Sequence, residues 1–463
     1  FWRYNISLPI ADQEKFFEYS VNNGAMNRVY IAGYSQRWRW FFHSCNGFSN
    51  DISPEKQEKL GGANVLWNDM FTLHSKQPYH VQVGGGDQLY CDDVFLTNAL
   101  KGWLGIVSHK DRDKAVFTKT VADEVSDFYF KNYVKCFGSG TFALALAQIP
   151  YSFVTDDHDI FDGYGSYPDR LQSSPYFQGI GAIALRFFLL FQHHTTFQRA
   201  KIDNYIGVKS FSWFKNFGNS TAIVGFDNRS ERSINQTLSY ESYDMVFNTM
   251  EKELPPDCKH LMVILGIPIC YPRFAVVESA MQGWQSIQHS LSFHKLFGKT
   301  GAMEQILNQF GQPELLDDLL DHWTAAPRMN ERSQLIWRLQ HIARNRNIRI
   351  TFLSGDVHCC GAGTFHSTKF VSPPNDFRYM CQIVSSAIVN APPPNIVTDA
   401  LHQTAITYNL DDYTSEDMIS LFSNDVDGTK LNNQKLLPRR NYCSVMEDSN
   451  TNNIMFTLRV ENL

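Results

Sequence analysis

At 463 residues the chain is too long for one minimal core and fits one large domain or two. Apolar residues make up 43% and charged residues 19%, so burial offsets chain entropy and general disorder is excluded. A formal net charge of −6 leaves no basic footprint, which excludes a non-specific polyanion binder; no nucleic acid is expected as a partner.

Residues 1–9 alternate as a strand does, with Trp2, Tyr4, Ile6 and Leu8 on one face. Residues 29–31 and 37–43 read as two more strands, the second ending at Ser44-Cys45-Asn46-Gly47. Helical spacing over Val65–Lys76 is followed by a short strand at 79–83 that runs into Gly84-Gly85-Gly86-Asp87. Residues 111–137 have one long helical period that sets Val116, Val121, Val125, Phe128, Tyr129 and Tyr133 toward one side. A helix at 141–148 precedes a strand at 151–155, which ends at Asp156-Asp157-His158-Asp159.

A Gly/Ser/Pro-rich loop then leads to a helix over 180–191. This stretch is too short to span a membrane and carries Arg186. Apolar runs of strand length follow at 221–226, 261–265, 348–353 and 380–384, with a helix at 331–346. Residues 281–313 lack a clear period and are expected to form a surface excursion; 453–460 reads as a last strand. Alternating strands and helices imply an α/β protein with a mixed sheet. Nine cysteines without a CxxC pair read as reduced intracellular thiols, so a cytoplasmic location is expected. The opening residue is Phe1 rather than Met, and a start or a leader is expected upstream.

The informative pattern is positional. Several strand-like runs stop directly at metal-capable side chains: Cys45, Asp87, Asp156-Asp157-His158, Asp227 and Asp356-Val357-His358. In open α/β sheets ligands bind at strand ends, where residues far apart in sequence converge. Gly86-Asp87 alone reads equally as a capped turn, and no Walker Lys follows the glycines. Four consecutive acid or imidazole groups at 156–159 repel one another unless a cation or solvent neutralises them. Asp356 and His358 lie two apart, on one side of an extended chain. Arg229 follows a strand and is placed either to clamp a phosphate oxygen or to form a surface ion pair. His193-His194 read as packing or capping groups, and His289 and His294 fall in the unpatterned stretch. No Gly-x-Ser-x-Gly is present, and neighbouring carboxylates disfavour Cys45 as a free nucleophile.

Ser44-Cys45-Asn46, Gly86-Asp87-Gln88-Leu89-Tyr90, Asp156-Asp157-His158-Asp159 and Gly355-Asp356-Val357-His358 stand in an order that resembles the PhoD-like branch of the calcineurin-like metallophosphoesterases. The phrases GGGDQLY, TDDHDIFDGYGSYPD, FQGIGAIALRFFLLFQHH and SSAIVNAPPP resemble its eukaryotic, fungal-type members. The resemblance implies a four-layer sandwich of two mixed β-sheets flanked by helices over 37–463, with a small N-terminal β segment over 1–36. It implies Asp87 as a bridging carboxylate, Cys45, Tyr90 and Asp356 around Fe3+, and Asp157 and His358 as further ligands, with Ca2+ as the second metal. His158 takes the place of the histidine that assists the leaving group. The family has Glu after DDH and Asn-Asn nearby; here Asp159 and Asp162-Gly163 stand instead, and Asp162 joins the expected ligands.

The expected activity is hydrolysis of a phosphomonoester or phosphodiester by a metal-activated hydroxide, without a phosphoenzyme. Competing readings are a catalytically weak relative serving as a scaffold, with peripheral association at a membrane, and a metal-dependent hydrolase of another ester class.

Overall fold

The computed structural model describes residues 2–273, 321–448 and 450–462. The stretch 281–313, with His289 and His294, lies outside the described residues. The chain opens with an extended segment rather than a strand. Trp2, Tyr4, Ile6 and Leu8 are all exposed, and the alternation at 1–9 meets no sheet edge. The first strands are β1 (Lys15–Tyr19) and β2 (Asn27–Ile31), an antiparallel hairpin. Glu14, just ahead of it, pairs with Arg39 and with His80 Nε2 at 2.8 Å, and Tyr19 donates to the Ala147 carbonyl at 2.6 Å.

One sheet has five strands: β3 (Arg39–His43), β4 (Val81–Gly84), β5 (Tyr151–Phe153), β15 (Asn441–Glu447) and β16 (Ile454–Val460). β3, β4 and β5 run parallel; β15 and β16 close the other side antiparallel. The larger sheet orders β12 (Tyr408–Asn409), β13 (Thr414–Met418), β10 (Cys360–Ser367), β11 (Met380–Ser385), β9 (Arg349–Ser354), β8 (His260–Leu265), β7 (Thr221–Gly225) and β6 (Trp213–Phe217). β14 (Leu436–Leu437) adds a short pairing to β10. Within this sheet β7, β8, β9 and β11 are parallel neighbours.

Side-chain alternation explains why the sheets stack. Trp40, Phe42 and Val83 of one sheet pack against Ile223, Met262, Ile264 and Leu353 of the other, a dry seam between inner faces. The alternate residues on each strand face outward. Phe41 meets Trp67 and Phe142 from helices Val65–Lys76 and Gly140–Gln148. Val224, Val263 and Phe352 meet helices Tyr240–Glu253 and Met329–Arg346. The result is the mixed α/β four-layer arrangement that the sequence resemblance implies.

A further apolar body, built on helices Lys119–Phe137 and Pro175–Gln192, packs against the loop after Asp157. The expected single helix over 111–137 is two. A short helix, His109–Asp113, ends before Thr118, whose hydroxyl caps the next helix by accepting from Val121 N–H. Val116 falls in the break and is exposed, so it does not join the buried side.

Candidate active site

The carboxyl ends of the parallel strands of both sheets meet at one edge, and the chemistry-bearing residues follow those ends directly. Cys45 lies two residues beyond β3, Asp87 three beyond β4, Asp156 and Asp157 just beyond β5, and Asp356 two beyond β9. The loops are laced together. Cys45 N–H donates to the Gly86 carbonyl at 3.2 Å, Gly355 N–H to Gly266 at 2.8 Å, and His358 N–H to Ser386 Oγ at 3.1 Å. Gly86, at φ +100°, passes so close to Asp156 that a Cβ would sit 2.4 Å from the Asp156 Cβ. Cys45, Asp87, Asp356 and His358 all adopt positive φ, between 49° and 69°, so their backbones turn sharply at the strand ends.

Asp87, Asp156, Asp157 and Asp356 bring carboxylate oxygens within 4.8 Å of one another, and Asp87, Asp157 and His158 form a second such group. Cys45 Sγ stands 3.4 Å from Asp87 Oδ2. Tyr90 OH lies 3.2 Å from His358 Nε2 and accepts from Asn390 Nδ2 at 2.9 Å. The sequence-derived candidates Cys45, Asp87, Tyr90, Asp157, Asp356 and His358 are therefore brought together, with His158 at their edge. Its ring lies 4.2 Å from that of Tyr90.

Electrostatics explain what this assembly requires. Burial, reinforced by Asp157, Asp156 and Asp159, pushes the Asp87 carboxyl well up, and burial with Asp156 and Asp157 does the same to Asp356. The Asp156 carboxyl is pushed up to about 7 by burial and its acidic neighbours, against the pull of Arg229. Burial also raises the Cys45 thiol and the Tyr90 phenol, each made worse by nearby anions. Asp87 Oδ1 and Asp156 Oδ2 are buried and accept no hydrogen bond among the described residues. Anionic donors packed this closely fit a multiply charged cation, which would reverse every one of these shifts. His358 suits the same role from the other side: burial and then His158 lower it to about 4, leaving a neutral imidazole.

His158 is held differently. Its Nδ1 is 2.8 Å from Asp92 Oδ2, and Asp92 also accepts from Asp162 N–H at 2.7 Å. Burial alone would lower its pKa, but the carboxylates of Asp92, Asp157 and Asp87 prevail and raise it well above the usual value.

Three expectations are corrected. Arg229 is fully buried and faces no open site: Nε binds Asp156, and the two terminal nitrogens bind Asp321 at 2.7 and 2.5 Å. Its remaining contacts are the Tyr164 carbonyl at 3.2 Å and Asp157 at 3.3 Å. Every direction of the guanidinium fork is thus taken by protein, so neither the phosphate clamp nor the surface ion pair describes it. Asp227 accepts from Phe211, Arg229 and Ser230 N–H groups and from the Ser230 hydroxyl, a turn-forming role away from the cluster. Asp162 belongs to neither carboxylate group; its Oδ1 is 3.9 Å from His158 Nε2.

His193 caps helix Pro175–Gln192 and packs on Phe188 and Tyr205, as its position suggested. Sequence reading left out Asp92, Asp321, Ser386 and Asn390. Asn390 lies inside the phrase SSAIVNAPPP that carried the family resemblance, and Asp92 two residues after Tyr90. Asp321 has no such neighbour to mark it.

Comparisons with known proteins bear on the family and the fold. An uncharacterized protein of Saccharomyces cerevisiae is 32% identical across 97% of this chain and 71% of its own length. The solved structure of PhoD shares the fold, with a TM-score of 0.52 at 13% identity over 97% of this chain and 74% of that one. A dimetal phosphatase from Danio rerio aligns over 77% of this chain and 89% of its own, at 9% identity and a TM-score of 0.36. No helix among the described residues is long and apolar enough to cross a membrane. The family model for PhoD-related phosphatases matches residues 20–292 and 286–461, and the chain belongs to that family.

Proposed function

We propose that the protein is a metal-dependent phosphoesterase acting on phosphomonoesters or phosphodiesters. The observation that carries this reading is the convergence of Asp87, Asp156, Asp157 and Asp356 at the strand ends, four carboxylates within 4.8 Å of one another, with Arg229 and His158 as cationic neighbours. Cys45, Tyr90, Asp87 and Asp356 would hold Fe3+, and Asp87, Asp157 and His358 a second ion of the Ca2+ type, with Asp162 at the rim. Bound cations at such a cluster acidify water and neutralise charge on phosphoryl oxygens.

The protein's own side chains supply the rest. His158 is kept protonated by its carboxylate neighbours, and the Asp92 contact fixes Nδ1, so Nε2 presents a proton to the departing ester oxygen. Asn390 donates to the Tyr90 hydroxyl and lies 3.4 Å from His358 Nε2, touching two candidate ligands at once. Raised carboxyl pKa values mean that cation and proton compete for the same oxygens, so loading is favoured as pH rises.

The test is hydrolysis of bis(p-nitrophenyl) phosphate and p-nitrophenyl phosphate by protein supplied with iron and calcium, beside Asp87→Asn. Turnover is expected to fall on the order of a hundredfold or more in the variant. A variant that folds, binds as much metal and turns over at the unaltered rate would overturn the assignment. A ferric centre on a thiolate and a phenolate also gives a visible charge-transfer band, which Tyr90→Phe should shift or remove.

A further inference from the structure

Away from the carboxylate cluster, the wall of helix Pro175–Gln192 and the segment that returns to β6 enclose a cavity of about 350 Å³, open to solvent on one side. That volume lies within the range of small-molecule sites. Its lining is mostly apolar: Leu185 and Phe211 are buried, Ala182 and Phe197 form part of the lip, and Gln178 and Ser230 add polar groups. Two ammonium groups, Lys201 and Lys209, belong to the lining, and no carboxylate does. Among the described residues neither lysine has an ion-pair partner.

The acidic groups nearby are engaged elsewhere. Asp203 holds Arg3 and Arg199, Glu231 accepts from Lys209 N–H and Ser239 N–H, and Asp227 accepts from Ser230. Within the lining, Ser210 is 4% exposed, yet among the described residues its hydroxyl has no hydrogen-bond partner. A buried hydroxyl is ordinarily paired, and leaving it so costs stability unless a ligand or water supplies the partner. It presses against Gly207, where a Cβ would come within 1.9 Å of Ser210 Oγ, so the two residues are fitted to each other.

We infer that this cavity binds an anionic amphiphile, an alkyl chain bearing a single acidic head group. The apolar interior takes the chain, Lys201 and Lys209 take the head, and Ser210 offers one hydrogen bond. A sugar or nucleotide would leave its many polar groups without partners there. None of the candidate metal ligands lines the cavity. Two of its lining residues nevertheless touch the groups around Arg229: the Tyr164 carbonyl accepts from Arg229, and the Ser230 hydroxyl binds Asp227.

The experiment is calorimetric titration of the metal-loaded full chain with octyl sulfate, octanoate, octanol and inorganic sulfate. Octyl sulfate and octanoate are expected to bind at one saturable site, octanol about tenfold or more weakly, and inorganic sulfate without measurable heat. The double variant Lys201→Glu/Lys209→Glu should weaken octyl sulfate about tenfold and leave octanol unchanged, since both lysines are exposed and the substitution reverses their charge without touching the buried lining. Ala182→Trp, at an exposed helical position, fills the mouth and should abolish binding of both chains. Lysophosphatidate bound more tightly than octanoate would point to a phospholipid source, and the reverse to a free fatty acid; both keep the inference. Octanol binding as tightly as octyl sulfate, or octyl sulfate binding unchanged by Ala182→Trp, would overturn it.

Discussion

The Asp159 carboxylate lies among acidic neighbours, yet its oxygens are the most completely satisfied at the site. They accept from Asp87 N–H at 2.9 Å, Gln88 N–H at 3.0 Å, Asp156 N–H at 2.9 Å and Gln192 Nε2 at 3.0 Å. One side chain thus fixes the backbone of two different strand-end loops and ties both to helix Pro175–Gln192. Burial pushes it up to about 6, with the donated hydrogen bonds holding it down. In Asp159→Asn an NH2 group must face at least one N–H donor, which leaves a buried donor unpaired and costs about 1–3 kcal/mol. The expected outcome is a lower Tm together with reduced metal content by elemental analysis, because Asp87 shifts with its backbone. Unchanged metal binding in a destabilised variant would show that Asp87 is positioned without it.

At the scale of elements, Arg229 fastens the loop after β7 to the loop after β5 and to Asp321. Arg229→Met would leave Asp156 and Asp157 buried without this cation and Asp321 with Arg232 alone, an expected loss of about 3–5 kcal/mol. The urea midpoint measures this, and a midpoint equal to that of the parent would sink the fastening role. The same region shows what a sequence conceals. The strand ends of β4, β5 and β9 were legible because an apolar run stops abruptly at glycine or acid, and the end is where the chemistry sits. Arg229 was misread because its partners come from 73 and 92 positions away, and nothing local reveals that its fork is already filled. Residues 1–9 were misread for the opposite reason: their alternation is real, but a strand needs a partner edge that pattern alone does not supply. The helix break near 114–118 turned on the single cap at Thr118, a weaker signal than the period running across it.

Across the whole molecule, several histidines are folded into apolar surroundings away from the carboxylate cluster. Burial lowers His43 to about 3 and His74 to about 4, and carries His193 well down as well. A lowered folded-state pKa means that the unfolded chain takes up protons below pH 6.5 while the folded protein does not. Stability is therefore full above about pH 6.5 and declines as the pH falls toward 4. For fully buried His43 the contribution at pH 5 is about 2 kcal/mol. Thermal unfolding between pH 7.5 and 5 should show a falling Tm, and His43→Phe should make that fall shallower. The ring environment supports the substitution, since His43 already packs among Phe41, Trp67, Phe142 and Phe153. A pH profile identical in the variant would assign the acid sensitivity to other groups.

The left-handed turns at Cys45, Asp87, Asp356 and His358 bear on when the site takes shape. Each such turn in a residue with a Cβ costs roughly 1–2 kcal/mol, and the cost is met by the folding of two sheets around it. The backbones that carry the candidate ligands are held in these bends by hydrogen bonds between the strand-end loops, so an ion bound there would meet donors already fixed in direction. Because packing of the two sheets fixes these turns, ion exchange at such a site would proceed without the sheets reopening.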